Sequence, residues 1–337
     1  MRAGKAYSKP ATASTVATGT ADSLAAARLL EAARQLAMVT VEVDPADLPD
    51  LVATGGLEGC RLWRNESEVL VGIGESLRLP LRGGLVSDTD VGLVGKALAS
   101  MVSEDPLQLP GTGPLAIGAL PYDPCEPGWL SVPRLVLGHR PGRFWVTVTT
   151  HLDQRASGEA PGELAGDWRR VVRESLAGPP GTSDGALPGG DGAPRGSHQG
   201  PDRFELAATL PHAEWKRLVA AAAIAIEKAE FTKVVIGRRV EVRANQPFAM
   251  DQVLARLAAL YPSCSIFHVE GFVGASPEML VRKTGSQVWS HPLAGTVARS
   301  GYTATDRALE DAMLASAKDR LEHQVVVDAI ATALAPW

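Results

Sequence analysis

Two ionisable side chains in the second half of the chain are placed where they could transfer protons. Lys233 opens the apolar run KVVIGR, whose neighbours would desolvate the amine and favour its neutral form, the form that acts as a base. Glu278 lies in FVGASPEML, directly after a Ser-Pro that interrupts a strand and beside Met279 and Leu280. A carboxyl group in such surroundings suits a general acid. The two motifs therefore indicate acid–base chemistry.

Two further motifs offer binding groups for a charged ligand. The small residues of PLAGT, namely Ala294, Gly295 and Thr296, would expose backbone N–H groups and one hydroxyl to a ligand carboxylate or hydroxyl. In KDRLEH, Asp319 and Glu322 are three residues apart, so a helix would place both carboxylates on one face. Such a pair can ligate Mg²⁺ directly or through water.

Each motif also has an ordinary structural interpretation, and none is specific alone. Lys233 could be a strand-end lysine whose amine reaches water, and Glu278 could be a turn glutamate. PLAGT could be a tight strand turn, and KDRLEH a solvated helix face. His268 alternates along an apolar strand, which favours a sheet histidine over a catalyst.

The spacing of apolar residues predicts the elements that must position these motifs. Helices are predicted over residues 24–38, 92–105, 212–231, 248–261 and 304–336. Thr305 or Asp306 is the expected N-cap of the last helical region. Strands are predicted over residues 39–43, 115–123, 143–152 and 233–243, with a hairpin at 59–75 and a run of strands at 264–299. This pattern is typical of an α+β fold with antiparallel strands.

Composition narrows the classes of function. The chain has 337 residues, 45% of them hydrophobic, and a formal net charge of −5, which argues against a nucleic-acid-binding protein. It has no apolar run long enough to span a bilayer. Its three cysteines, Cys60, Cys125 and Cys264, form no CxxC pair, which is typical of a reducing compartment. We therefore expect a cytoplasmic monomer without nucleic-acid or membrane partners.

Composition also divides the chain. Residues 1–22 are small and polar and are expected to be disordered. Residues 156–202 are rich in Gly and Pro and predict a flexible insertion, with a short helix around 167–176. Between and after them, residues 23–155 predict an N-terminal α+β part and residues 203–337 a catalytic region of the same body.

In this order, KVVIGR, FVGASPEML, PLAGT followed by Arg299, and KDRLEH resemble the motifs of the chorismate-utilising enzymes. Within that family they most resemble the isochorismate synthases of menaquinone and siderophore pathways. The resemblance runs from about Phe204 to Pro336 and is faint before Ala156. It implies the α+β fold of anthranilate synthase component I, with layered β-sheets wrapped by helices, and chorismate as substrate.

The resemblance also implies an isomerase reaction and a role for each proton-transferring residue. Lys233 matches the lysine that activates water to attack C2 of chorismate. Glu278 matches the acid that protonates the departing C4 hydroxyl. Adding water at one ring carbon while hydroxide leaves another requires a base and an acid on opposite faces of the ring.

The binding residues follow in the same way. Ala294, Gly295 and Thr296 match the turn that lies against the substrate. Glu322 matches a glutamate that ligates Mg²⁺, and Asp319 lies where a metal-proximal acid is found. The resemblance thus implies Mg²⁺ as cofactor, holding the ring carboxylate of chorismate.

Two positions favour water as the nucleophile within this family. Anthranilate-forming relatives usually lack a lysine at position 233, and aminodeoxychorismate-forming relatives commonly carry a lysine where this chain has Ala294. Salicylate synthases keep the lysine base, so they stay an alternative, as do the aminating enzymes.

Members of this family continue past the KDRLEH helix with further strands and a second metal-binding glutamate. The resemblance therefore predicts a chain without the C-terminal part of the fold, with open strand edges and an exposed apolar face. An inactive truncated remnant is the alternative of a different class.

Overall fold

The computed structural model describes residues 19–47, 60–81, 88–123, 126–154 and 200–336. They form two compact units. The first lies within Met1–Asp191 and Ile266–Gly274, and the second within Gly192–Ser265 and Ala275–Trp337. The insertion predicted at 156–202, with its short helix, falls mostly outside the described residues. Residues 1–18 of the predicted disordered N-terminus also lie outside the described residues, and the first described element is the helix that begins at Gly19.

The described residues contain six α-helices and fourteen strands. The helices are α1 (Gly19–Arg34), α2 (Asp88–Ser100), α3 (His212–Glu227), α4 (Met250–Leu260), α5 (Thr303–Ala315) and α6 (Ala317–Leu334). The first eight strands are β1 (Leu36–Glu42), β2 (Arg61–Arg64), β3 (Val69–Ile73), β4 (Leu77–Leu81), β5 (Val102–Glu104), β6 (Gly128–Val132), β7 (Leu135–Arg140) and β8 (Arg143–His151). The others are β9 (Phe204–Ala208), β10 (Val240–Ala244), β11 (Ser265–Val269), β12 (Phe272–Ser276), β13 (Met279–Thr284) and β14 (Gln287–His291).

An eight-stranded sheet forms the body of the first unit. Its strand order is β12-β11-β2-β3-β7-β8-β1-β5, and β4 and β6 make a separate two-stranded sheet. Strand β1 pairs antiparallel with β8 along its whole length and parallel with β5 on its other side. The fold class is therefore α+β with a mixed, mainly antiparallel sheet, as the sequence predicted.

The core of the first unit is packed between this sheet and its helices. One cluster of buried side chains joins α1 and α2 to the strands and comprises Ala33, Leu36, Met38, Leu79, Ala97, Met101 and Val132. A second cluster comprises Leu70, Val136 and Trp145. The Trp145 indole lies across Gly138 of the neighbouring strand, where a methyl group would lie 2.0 Å from Cε2. Gly138 is thus required by close packing.

A buried arginine ties the hairpin of β11 and β12 to the rest of the first unit. The turn, Glu270-Gly271, has positive φ at both residues, 49° and 85°, as in a type I′ hairpin. Glu270 accepts hydrogen bonds from Arg61 at 2.7 Å and Arg78 at 3.1 Å. Arg61 is only 4% exposed and also pairs with Glu75. Together with the pairing of β11 with β2, this network joins residues 266–274 to the first unit.

The second unit has two two-stranded sheets and four helices, with little buried interior among its described residues. Strands β9 and β10 pair with each other, as do β13 and β14. Among its described apolar residues, Leu254 alone is fully buried. Large apolar side chains are exposed instead, including Leu206 at 70%, Val235 at 82% and Leu280 at 71%. The second unit thus exposes large apolar side chains, and each of its described sheets has only two strands.

Several predicted boundaries were wrong. The helix predicted at 24–38 ends at Arg34, and Leu36 already begins β1. The strand predicted at 115–123 is reduced to a bridge between Ile117 and Ser131. The last helical region, predicted as one or two helices, forms the two helices α5 and α6, but their N-caps are Tyr302 and Ser316 and not Thr305 or Asp306. Of the helices in the described ranges, none has the length and apolarity needed to cross a membrane.

Replacing Gly138 by Ala is expected to destabilise the first unit by about 1–3 kcal/mol or more, because the new methyl group overlaps the Trp145 indole. Urea unfolding followed by tryptophan fluorescence measures the change. Gly92→Ala is the matched control: Gly92 lies within α2 with open space around it, so alanine there should be neutral or stabilising by about 0.5–1 kcal/mol. Equal effects of the two substitutions would contradict the packing argument.

Candidate active site

Lys233 lies against the first turns of α6. It belongs to a segment between α3 and β10 without regular secondary structure, so the strand predicted from residue 233 was wrong, and β10 begins only at Val240. The half-buried Nζ donates a hydrogen bond to the backbone oxygen of Glu322 at 3.3 Å. The contact joins two motifs that are 89 residues apart.

The acidic pair of KDRLEH lies at the start of α6. The Ser316 hydroxyl caps the helix by accepting a hydrogen bond from the Asp319 backbone N–H at 3.2 Å. Asp319 and Glu322 are both half-buried and one turn apart, so they share a helix face as predicted. Lys318 pairs with Glu322 only weakly, at 3.9 Å and with the lysine 81% exposed. The helix N-terminus favours negative charge at this position.

The PLAGT turn approaches the same helix. Gly295 has φ of +84°, a left-handed conformation that favours glycine. A methyl group on Gly295 would lie 3.5 Å from Oδ1 of Asp319, so the turn backbone passes beside this carboxylate. Ala294 is half-buried and Thr296 is exposed. The structure therefore brings Lys233, Gly295 and the two acids of α6 into one neighbourhood.

Glu278 lies apart from these contacts. It is exposed in the turn between β12 and β13, where its backbone N–H donates to the Ser276 hydroxyl at 3.2 Å. No hydrogen bond or ion pair of the described residues joins its carboxylate to Lys233 or to α6. The pairing of Glu278 with Lys233 as acid and base stays a prediction.

A carboxylate that the sequence assigned to helix capping instead holds the loop after PLAGT. Asp306, in the first turn of α5, accepts hydrogen bonds from the Ser300 backbone N–H at 2.7 Å and its hydroxyl at 2.8 Å. Arg299 adds an ion pair at 3.3 Å. The hydrogen bonds from Ser300, then the charge of Arg299, hold the pKa of Asp306 below its usual value. The sequence signal was an acid at the start of a helix, which does not reveal its loop partner.

The donor set on α6 fits a magnesium ion that keeps most of its water. Mg²⁺ in enzymes is usually held by one or two carboxylates, with water and substrate oxygens completing the octahedron. Asp319 and Glu322 supply two carboxylates on one helix face. In the described ranges, no group of three or more His, Cys, Asp or Glu side chains is arranged to hold a metal ion. The pair therefore fits a site that substrate and water would complete.

His268 is a sheet histidine, as its alternation predicted. It lies on β11 opposite Leu62 and is only 5% exposed. Its Nδ1 has no hydrogen-bond partner among the described residues. Burial lowers the pKa of His268 below its usual value, against a smaller raising effect of a hydrogen bond with the Cys60 backbone. Its role is packing in the first unit.

The family model described as "chorismate binding enzyme" matches residues 23–337. The chain belongs to this family. The match includes both the N-terminal α+β part and the four motifs, so the family extends over almost the whole sequence. The resemblance read from KVVIGR, FVGASPEML, PLAGT and KDRLEH is confirmed at the level of the family.

Relatives of this family member include named isochorismate synthases. The "Salicylate biosynthesis isochorismate synthase" of Pseudomonas aeruginosa is 39% identical over 128 residues, 37% of this chain and 27% of its own. The "Isochorismate synthase EntC" of Escherichia coli is 28% identical over 222 residues, 64% of this chain and 46% of its own. The chain thus spans half or less of the length of these relatives.

A solved structure supports the fold. The menaquinone-specific isochorismate synthase MenF from Escherichia coli superposes with a TM-score of 0.62 and 21% identity. The superposition covers 94% of this chain and 69% of MenF. At this identity the likeness establishes a shared fold, which confirms the predicted α+β fold of the chorismate enzymes.

Stability should fall as the pH is lowered through the usual pKa of histidine, about 6.5. The folded state lowers the pKa of His268, so the unfolded chain binds the proton more readily, and acid favours unfolding. The loss accumulates between about pH 6.5 and the lower pKa of the folded state. Urea unfolding between pH 8 and 5 should show a weaker acid dependence in His268→Leu than in wild type.

The control for this effect is His151→Leu, because His151 is exposed at the end of β8 in the same sheet. This variant should keep the acid dependence of the wild type. An unchanged dependence in His268→Leu would show that other groups cause it.

Proposed function

We propose that this chain acts on chorismate as an isochorismate synthase, an isomerase that moves a hydroxyl group around the ring. The observation that carries the proposal is the hydrogen bond from Lys233 to the Glu322 backbone, which joins the proposed base to the acidic helix. The names of the relatives give the same reaction. The product would enter menaquinone or siderophore synthesis in the cytoplasm.

The proposed reaction adds one water and loses another, so no atoms are gained. Lys233, as a neutral amine, takes a proton from a water that attacks C2 of chorismate. The ring double bonds shift and the C4–O bond breaks. Glu278 gives its proton to the departing C4 oxygen, which leaves as water. Solvent then restores the protonation states of both residues.

The remaining groups bind and orient the substrate. Chorismate is a dianion, and the half-buried carboxylates of Asp319 and Glu322 would repel it. Mg²⁺, when bound by these two residues, would neutralise the ring carboxylate. The backbone N–H groups of the turn at Ala294, Gly295 and Thr296 would fix the position of the substrate. Exposed N–H groups add affinity without adding charge.

A salicylate synthase is the second candidate, because one relative carries "salicylate biosynthesis" in its name. Such an enzyme would go on to eliminate pyruvate from isochorismate. Incubation with chorismate and Mg²⁺, with and without ammonia, separates the candidates by product. Isochorismate alone supports the first, salicylate with pyruvate the second, and an amino product an aminating enzyme. No product from the wild-type chain contradicts all three and favours a non-catalytic remnant.

Lys233→Ala and Glu278→Gln are each expected to lower the rate of isochorismate formation at least about 100-fold, since each removes one proton-transfer group. Chromatography of the products after fixed times measures the rate. Lys216→Ala and Glu230→Gln serve as controls, because both residues are exposed on or just after α3. Rates within twofold of wild type in either test variant would refute the role of that residue.

Glu322→Ala is expected to raise the Mg²⁺ concentration needed for half-maximal binding by about 10-fold or more, because one of two carboxylate ligands is lost. Titration calorimetry with MgCl₂ in the presence of chorismate measures this without relying on turnover. Glu310→Ala removes an exposed acid from α5 and should leave the titration unchanged. If both variants titrate like wild type, Glu322 is not a ligand.

A further inference from the structure

The loop that follows PLAGT passes close to α6 at its start and is hydrogen-bonded to α5 at its end, within the second unit. At its start, Gly295 lies beside the Asp319 carboxylate of α6. At its end, Ser300 donates two hydrogen bonds to Asp306 of α5, at 2.7 and 2.8 Å. Only four residues lie between Gly295 and Ser300, so the backbone between the contact with α6 and the hydrogen bonds to α5 has little freedom.

Asp306 can hold the end of this loop because its side chain is largely buried and hydrogen-bonded to Ser300. Its side chain is 16% exposed, whereas that of Arg299, which pairs with it, is 87% exposed. The exposed ion pair contributes little, so the Ser300 hydrogen bonds carry most of the attachment. Ser300 also accepts a hydrogen bond from the Tyr302 backbone N–H at 3.1 Å, which continues the same turn into α5.

We infer that Asp306 is a positioning residue for the substrate turn: through Ser300 it holds the backbone of residues 294–299 against α6, beside Asp319 and Lys233. The functional part of this inference rests on the proposed chorismate site. Backbone N–H groups bind a carboxylate well only when their direction is fixed beforehand. A loop released at Ser300 would have to be ordered by the substrate itself, at a cost in affinity.

The alternative is that Asp306 only stabilises the N-terminus of α5, where any acid is favourable. The two roles differ in what they change. Loss of helix stability would reduce the folded fraction and hence the apparent kcat, with KM unaltered. Loss of a positioned turn would raise KM for chorismate and leave kcat nearly constant, because the acid and base are untouched.

Hydrogen exchange tests the attachment without any need for turnover. In Asp306→Ala, the backbone amides of residues 294–300 should exchange at least about 10-fold faster than in wild type. Asp311→Ala is the matched control, since Asp311 is an exposed acid on the same helix. Exchange of these amides that is unchanged in Asp306→Ala, or equally faster in both variants, overturns the inference.

Kinetics with chorismate and Mg²⁺ test the consequence. Asp306→Ala should raise KM about 10-fold with kcat within threefold, and Asp306→Asn, whose amide oxygen can still accept from Ser300, should recover part of the loss. Faster exchange with KM unchanged overturns the positioning role. If the wild-type chain makes no product, faster exchange in Asp306→Ala still supports the attachment. In that case only the proposed function is contradicted.

Discussion

The candidate site depends on the first turns of α6, against which Lys233 and the PLAGT turn lie. The Lys233 amine bonds to the Glu322 backbone, and Gly295 passes beside Asp319. Ser316 caps the helix through the Asp319 N–H, which fixes where the helix begins and therefore where both acids point. A shift of α6 by one residue would rotate the acids by about 100° and separate them from the turn and the lysine.

The two units differ in how much apolar surface they bury. The first buries a large apolar core, with Trp145 packed against Gly138 and a buried arginine network at its hairpin. The second carries KVVIGR, PLAGT, KDRLEH and the part of FVGASPEML that holds Glu278, yet it has little buried interior among its described residues. Its elements are fixed by short polar contacts at caps and turns. Such contacts can define the direction of a few side chains, but each contributes only about 1 kcal/mol.

Sequence patterns predicted the elements whose formation depends on residues close together in the chain. The hairpin at residues 59–75, the long strand at 143–152 and the helices around KDRLEH follow from periodicity, and the family follows from the order of four motifs. The strand expected from Lys233 begins only at Val240, and residues 233–239 have no regular secondary structure, because an apolar run does not by itself specify a strand. The partners of Asp306 and Glu270 could not be predicted, since a carboxylate does not reveal which distant N–H or guanidinium it will meet.

Charge limits what the site can bind. Around the first turns of α6, the two carboxylates of Asp319 and Glu322 outnumber the single Lys233 amine, so the neighbourhood is negative before any ligand arrives. A dianionic substrate would therefore be repelled unless a cation neutralises the acids or backbone dipoles outweigh them. The fixed turn supplies the dipoles, and the acids themselves attract the cation. On the proposed function, the same two carboxylates that oppose the bare substrate would favour it once Mg²⁺ is bound, which makes metal binding the step that controls substrate binding.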